Sequence, residues 1–198
     1  WKADGGALGG DSALREVEIG IQGAVDPYAR SDIFLAVEPE GGETKVDLEE
    51  GFLTWLRFPA GLQAKVGKYL VRFGKQNLVH GNEQPMVDRA AVLRTFLGEE
   101  GLAGVGGGLS WVTPLPWYAE VVWDHMNHRA STSAFTVDGR MEVFRLRNFW
   151  DLSAAEGLEI GASYAADLAG RDVLEWRAGD QAAVVAADLS YKWKPPQR

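Results

Sequence analysis

The sequence predicts an all-β fold, an antiparallel up-and-down transmembrane β-barrel, and three observations carry that expectation. Apolar and polar residues alternate with period two along about nine stretches, the pattern of strands with one apolar and one polar side. The turns between them alternate, short then long: residues 26–27, 58–61, 113–116 and 153–157 are tight, whereas 38–44, 74–101, 125–140 and 168–181 are long. A meander with its short turns at one end and its long loops at the other is the architecture of membrane-spanning barrels. Aromatic residues gather beside the short turns, as a girdle at a membrane–water boundary requires.

Taken in order, the first strand is expected at 14–25, where Val17, Ile19, Ile21 and Val25 oppose Glu16, Glu18 and Gln22. At 28–38, Ile33, Leu35 and Val37 oppose Arg30 and Asp32. At 45–57, Val46 and Leu48 oppose Lys45, Asp47 and Glu49, with a bulge expected near Glu50-Gly51. At 62–73, Leu62, Ala64 and Val66 oppose Gln63 and Lys65, with a slip at Gly67 that would turn Lys68 and Arg72 to the polar side. At 105–112, Val105, Leu109 and Trp111 oppose Gly106, Gly108 and Ser110. At 117–124, Trp117, Ala119, Val121 and Trp123 oppose Tyr118, Glu120 and Asp124. At 142–152, Phe144, Leu146 and Trp150 oppose Arg145 and Arg147; at 158–166, Leu158, Ile160, Ala162 and Tyr164 oppose Glu159 and Ser163. The last strand, 182–193, sets Ala187, Leu189, Tyr191 and Trp193 against Asp188, Ser190 and Lys192.

Soluble sandwiches show the same alternation, so the aromatics and the charges decide. Trp111 and Trp117 flank a short turn, Trp55 precedes Arg57-Phe58-Pro59, and Trp193 precedes Lys194-Pro195-Pro196; Tyr28, Trp123 and Trp150 fit this girdle less uniformly. Nearly every strand carries Glu, Asp, Arg, Lys, Gln or Ser on its polar side. A dry centre built of those charges would cost many kcal/mol without partners, so the apolar side is expected to face lipid and the charged side water.

Composition agrees. A chain of 198 residues suffices for one barrel, with residues 1–13 as an N-terminal segment and 14–198 as strands and loops. The net charge of -8 argues against nucleic acid as a partner, and the absence of Cys removes disulfides and thiol chemistry. The 24 Gly suit tight turns and a crowded wall, and the 8 Trp suit a membrane boundary. No run of eighteen apolar residues suggests a transmembrane helix, which leaves a barrel open. The opening Trp-Lys-Ala-Asp-Gly-Gly lacks the basic start and apolar stretch of a signal peptide, so a mature or trimmed chain is expected.

Several segments resemble a bacterial outer-membrane porin family near the phosphate-selective porin O/P type. They are Val25-Asp26-Pro27-Tyr28-Ala29-Arg30, Glu49-Glu50-Gly51-Phe52-Leu53, Gly67-Lys68-Tyr69 with Arg72-Phe73-Gly74, Pro85-Met86-Val87-Asp88-Arg89 through Phe96-Leu97-Gly98-Glu99-Glu100-Gly101-Leu102, and Asp188-Leu189-Ser190-Tyr191-Lys192-Trp193-Lys194-Pro195-Pro196. The resemblance implies periplasmic short turns, outer loops and passive or substrate-biased uptake. It implies a bacterial outer-membrane location, with the lipid bilayer, lipopolysaccharide and small solutes as partners and a homo-oligomer or envelope protein as a further one. An odd strand number departs from single-chain bacterial barrels, and two open edges are untenable in lipid. A fragment of a larger barrel, or a wall completed by another chain, is therefore expected.

The segment 75–101 is the first candidate for function, holding His80, Glu83, Asp88, Arg89 and Arg94, with an amphipathic helix expected over 87–97. Folded into the barrel, Arg89 and Arg94 would narrow a pore and bias it toward anions; packed on the rim, they would pair with Glu99 and Glu100. Lys65, Lys68, Arg72, Arg145, Arg147 and Lys192 form a basic ladder that would guide anions, unless Glu16, Glu18, Asp47, Glu120 and Glu159 neutralise it. His125-Met126-Asn127-His128 offers two ligands on an expected loop, too few for a closed zinc site. Asp47, Glu49 and Glu50 read as solvated charges, without a nucleophile for acid–base work. Gly104-Val105-Gly106-Gly107-Gly108 lacks the Lys-Ser/Thr ending of a phosphate loop and suits close strand packing.

No enzyme and no cofactor is implied. The expected function is a channel for passive passage of small solutes, with anions as candidates; a structural shell around a partner protein is the alternative. A soluble carbohydrate-binding sandwich is a third reading, weakened because only Trp176 sits clearly in a long loop.

Overall fold

The computed structural model describes residues 17–40, 43–80, 89–98, 100–131, 135–167 and 183–194. The N-terminal segment, Glu16, Glu83, Asp88, Glu99, Trp176 and the side chain of His128 lie outside that description. Nine strands form one antiparallel up-and-down sheet in chain order: β1 (Val17–Asp26), β2 (Ala29–Glu40), β3 (Glu43–Trp55), β4 (Leu62–Leu70), β5 (Ala103–Val112), β6 (Tyr118–Ser131), β7 (Thr136–Ser153), β8 (Glu156–Asp167) and β9 (Ala183–Trp193). The one α-helix among the described residues, α1 (Ala91–Leu97), is shorter than the expected 87–97, and Gly98 at φ 88 ends it.

The short turns build themselves from local chemistry. Asp26 Oδ1 accepts the Tyr28 amide at 2.6 Å, fixing the first corner. Ser153 Oγ accepts the Ala155 amide and donates to Glu156 at the β7–β8 corner. Pro59–Gly61 makes a 3-10 turn whose Ala60 carbonyl accepts Trp111 Nε1 at 2.9 Å.

Two of the four expected long loops are strand instead. β6 and β7 run through most of 125–140, pairing as far as Ser131 and Thr136, and β2 and β3 pair as far as Glu40 and Glu43. Those stretches are mostly polar and so read as loop, but a ladder needs only backbone groups, and Met126 and Val137 turn inward to the core. The segment between β4 and β5 remains long.

Two irregularities set where side chains point. Phe34 pairs with Glu50 and Leu35 with Leu48, so Glu49 is the extra residue of a bulge, just ahead of the expected position. At Gly67 no slip occurs; β4 keeps one continuous register with β5. That glycine, at φ 139, instead gives Phe52 room, since a Cβ there would lie 2.2 Å from the Gly51 carbonyl oxygen.

The two faces of the sheet differ in kind. Ile19, Leu109, Val121, Ile160 and Leu189 stand exposed on one face, Leu189 at 69%. The opposite face carries Asp32, Glu50, Asp124, Arg145 and Glu159, all buried. Part of this second face is apolar: Met126, Met141, Val143, Ala165 and Val184 pack with Tyr69, Val71, Phe73, Leu97 and Leu102. The chain leaves β4 at Leu70, Val71 donates to the Leu102 carbonyl, and Phe73, Leu93 and Leu97 of the intervening segment pack on this face.

That segment acts as a strap between distant strands. Lys75 reaches Ser190 on β9, and His80 faces Glu18 on β1. The five steps between them include the 3-10 turn Gln76–Leu78, which rises only about 2 Å per residue. A flat nine-stranded sheet would hold its outer strands about 38 Å apart. The sheet therefore curls, with the strap on its concave side. Among the described residues no ladder joins β1 to β9.

Candidate functional site: the charged concave face

Three groups of charges line the concave face, each organised by the strap or by bare backbone. The first lies over β5. Gly104, Gly106 and Gly108 face inward there, so nothing on β5 separates side chains of β4 and β6. Tyr69 Oη donates to Asp124 Oδ1 at 3.0 Å across this glycine groove. Arg72 adds its backbone amide at 3.1 Å and its guanidinium to the same carboxylate. A Cβ on Gly108 would fall 1.9 Å from Asp124 Oδ1, so the glycine run is what lets this pair form. Beside it, Lys65 Nζ sits 3.4 Å from the Phe52 ring centroid and 4.3 Å from that of Tyr69, two cation–π contacts.

The second group runs across β6 to β9. Arg147 lies between Glu159 at 3.0 Å and Glu120 at 3.7 Å. Lys75 meets Glu159 at 3.3 Å as well as Ser190. Arg145 donates to the strap's Gly74 carbonyl at 2.8 Å and pairs with Asp188 at 3.3 Å.

The third group gathers at the other end of the strap. His80 Nδ1 faces Glu49 Oε2 at 3.3 Å and Glu18 Oε2 at 3.9 Å, while Nε2 faces Glu50 Oε1 at 3.4 Å. The Phe34 ring stands 5.5 Å from the imidazole. The hydrogen bond to Glu50, opposed by burial and helped by the charges of Glu50, Glu18 and Glu49, raises the His80 pKa to about 9.

The basic residues singled out from sequence divide accordingly. Arg72, Arg145 and Arg147 face inward and are held by carboxylates; Lys65 faces inward under its aromatic contacts. Lys192 is exposed on the inward register beside Ser190 and Asp188, and no ion pair engages it among the described residues. Lys68 is a correction. With no slip at Gly67, it pairs with Gly51 and Val105 on the apolar face, where its ammonium donates to the Leu48 carbonyl.

Arg89 and Arg94 do not act together. Arg89 is buried and donates to Asn77 Oδ1, Val79 O and Glu100 O, fastening the strap from within; burial lowers its pKa. Arg94 is exposed on α1. Asn77, wholly buried, completes the clamp by bonding Val71 O, Leu102 O and the Leu102 amide.

Further corrections concern the histidines. His125 lies in β6, not in a loop, and bonds Glu142, which also accepts Trp123 Nε1 at 2.6 Å. Met126, next to it, is buried. The Glu18–Glu49–Glu50–His80 cluster was missed because its members come from three elements. Alternation puts Glu18 on the polar side and Glu49 opposite Val46, but only the bulge and the strap bring them to one imidazole.

No protein-family model matches the chain, and no solved structure matches it. An uncharacterized protein of Aquifex aeolicus (strain VF5) is 31% identical over 135 residues, 66% of this chain. The chain spans 28% of that relative's length.

Proposed function

We propose that the chain is wall of a transmembrane β-barrel in the bacterial outer membrane, of the porin type and close in kind to the phosphate-selective porin O/P family, through which small solutes pass passively. The observation that carries this reading is the inverted partition of the sheet. Val121 is 41% exposed on one side of β6 while Asp124, three positions on, is fully buried on the other. Exposed aliphatic residues spread over the strands are a poor surface for water and a good one for acyl chains.

Aromatic rows on the exposed face support it. Trp55, Trp111, Trp117, Trp150, Tyr191 and Trp193 lie toward the short-turn end. A second row, Trp123, Phe144 and Tyr164, is aligned in register across β6, β7 and β8. Beyond it the same face turns polar at His125 and Glu142. From Trp117 to His125 the strand runs about 27 Å, about 21 Å of height at a tilt of about 40°, close to the ~25 Å apolar band of outer-membrane barrels.

Anion preference has less support, because Arg72, Arg145 and Arg147 are already engaged by carboxylates. The strap favours a second reading in which the barrel is a shell that does not conduct freely: its apolar residues fill part of the concave side. Reconstitution of the full-length protein in planar bilayers tests both. Stepwise conductance supports the channel. A folded, heat-modifiable protein without conductance supports the shell. Solubility as a folded monomer without detergent overturns the membrane reading altogether.

A further inference from the structure

The geometry points to a divalent-metal site formed by His80, Glu18 and Glu49, of the chemistry that takes zinc, with Glu50 positioning the histidine. The three ligand atoms lie within 4.8 Å of one another. Around a tetrahedral zinc with bonds of 2.0–2.2 Å, neighbouring ligand atoms stand about 3.4 Å apart. The 3.3 Å from His80 Nδ1 to Glu49 Oε2 already has that spacing, and the 3.9 Å to Glu18 Oε2 needs a shift of about half an ångström.

The orientation of the imidazole is the stronger argument. Its Nε2 addresses Glu50 and its Nδ1 addresses the other two carboxylates. An imidazole that keeps one N–H on a carboxylate offers its other nitrogen to an ion that displaces the second proton, and metal-bound histidines are held in this way. Glu50 is itself fixed, since its Oε1 accepts the Leu70 amide at 3.1 Å. Glu49 belongs to the bulge of β3, which aims two consecutive residues to one side of the strand. Two ligand carboxylates and a neutral imidazole balance the charge of one divalent ion, and imidazole with carboxylate oxygens suits zinc. Three protein ligands leave a fourth position for water.

Such an ion would bind β1, β3 and the strap at one point and pin the strap across the concave side. The inference rests on the placement of His80 and holds whether or not the sheet lies in a membrane.

Zinc titration of the full-length protein, stripped with EDTA, tests it by calorimetry, with cobalt(II) absorption as a direct report on the ligand set. One tight equivalent is expected, together with cobalt bands of a low-coordinate nitrogen–oxygen site. His80→Gln and Glu49→Gln are expected to weaken that equivalent at least about 100-fold, and Glu50→Gln about 10–100-fold with the stoichiometry kept. Lys68→Ala is expected to leave it unchanged. Circular dichroism identifies any variant that has lost its sheet, and the wild-type cobalt spectrum decides the matter without variants. Wild-type protein with no tight equivalent overturns the inference, as does an equivalent that survives in folded His80→Gln, which would mark adventitious binding to surface carboxylates.

Discussion

Val121 and Asp124 share one strand and obey opposite rules. The aliphatic side chain is exposed and the carboxylate is fully buried. Alternation along β6 explains why they point to different sides, but not why the inward side tolerates a charge. The answer lies on the neighbouring strand, where three inward glycines leave room for Tyr69 and Arg72 to reach across to Asp124. A buried carboxylate with a guanidinium, a backbone amide and a phenol around it is satisfied. The exposed valine has no such compensation in water, and the contrast is what makes lipid the simplest environment for it.

The sharpest way to break the comparison is to strand the charge. Asp124→Ala removes the partner of Arg72 and Tyr69 together, and loss of one side of a buried ion pair costs about 3–5 kcal/mol. Urea unfolding of the refolded protein in micelles measures it. An effect below about 1 kcal/mol, the level of a surface pair, would mean that water reaches the groove.

Val121→Arg tests the other half. A cation on a lipid-facing strand near the bilayer centre costs about 2–4 kcal/mol, whereas a substitution on a water-facing surface stays within about 0.5 kcal/mol. Folding into phosphatidylcholine vesicles distinguishes the two outcomes, and a neutral result sinks the lipid assignment. Gly67→Ala is expected to be damaging by about 1–3 kcal/mol from backbone conformation alone, with the approach to the Gly51 carbonyl added. The same unfolding measurement checks it, and a neutral alanine would show that β3 and β4 are free to separate there.

How far the sequence reveals this arrangement depends on the range of the signal. Period two gives the strands, and it assigns Ile19, Leu109 and Leu189 to one side and Glu18, Glu120 and Asp188 to the other, because that information is local. The glycine run was legible as close packing, but its consequence was not, since Tyr69 and Asp124 lie 55 positions apart. The ends of β6 and β7 escape hydropathy because Met126 and Val137 stand isolated among polar neighbours, and a ladder held by backbone groups leaves no apolar alternation to read. The sequence puts Lys68 on the wrong face because an isolated glycine suggests a slip as readily as a close approach, and the positive φ of Gly67 is visible only in three dimensions. The His80 cluster depends on where the strap lands, which no local pattern encodes.

The strap's two anchors should respond differently to pH. His80 is held as an imidazolium to about pH 9, against an ordinary value of 6.5. Its folded state binds the proton more tightly, so the contribution is complete below about pH 6.5 and is lost as pH rises through about 9. Hydrogen exchange of the Val79 amide in the presence of EDTA is expected to quicken over that window. At the other anchor the Gly74 amide donates to Ser163 Oγ at 2.9 Å, a bond between two groups without charge, so the Gly74 amide should keep its protection. Exchange that quickens equally at both positions would show that the whole strap opens together.

The smallest effect is expected at Arg94, and it separates a clamp from a constriction. Arg89 and Arg94 are five positions apart, but only Arg89 is buried among strap carbonyls. Arg94 is exposed, and its backbone carbonyl, not its guanidinium, caps the helix by accepting the Gly98 amide at 3.1 Å. Arg94→Ala should therefore leave stability within about 0.5 kcal/mol, while Arg89→Ala removes the guanidinium bonds to Asn77, Val79 and Glu100 at a cost of about 1–3 kcal/mol. Conductance provides the second axis. If Arg94 narrows a pore, its loss changes ion selectivity with no change in unfolding; if it is merely solvated, neither moves. A stability loss at Arg94 equal to that at Arg89 would contradict the placement of both, because an exposed side chain has nothing of that size to lose.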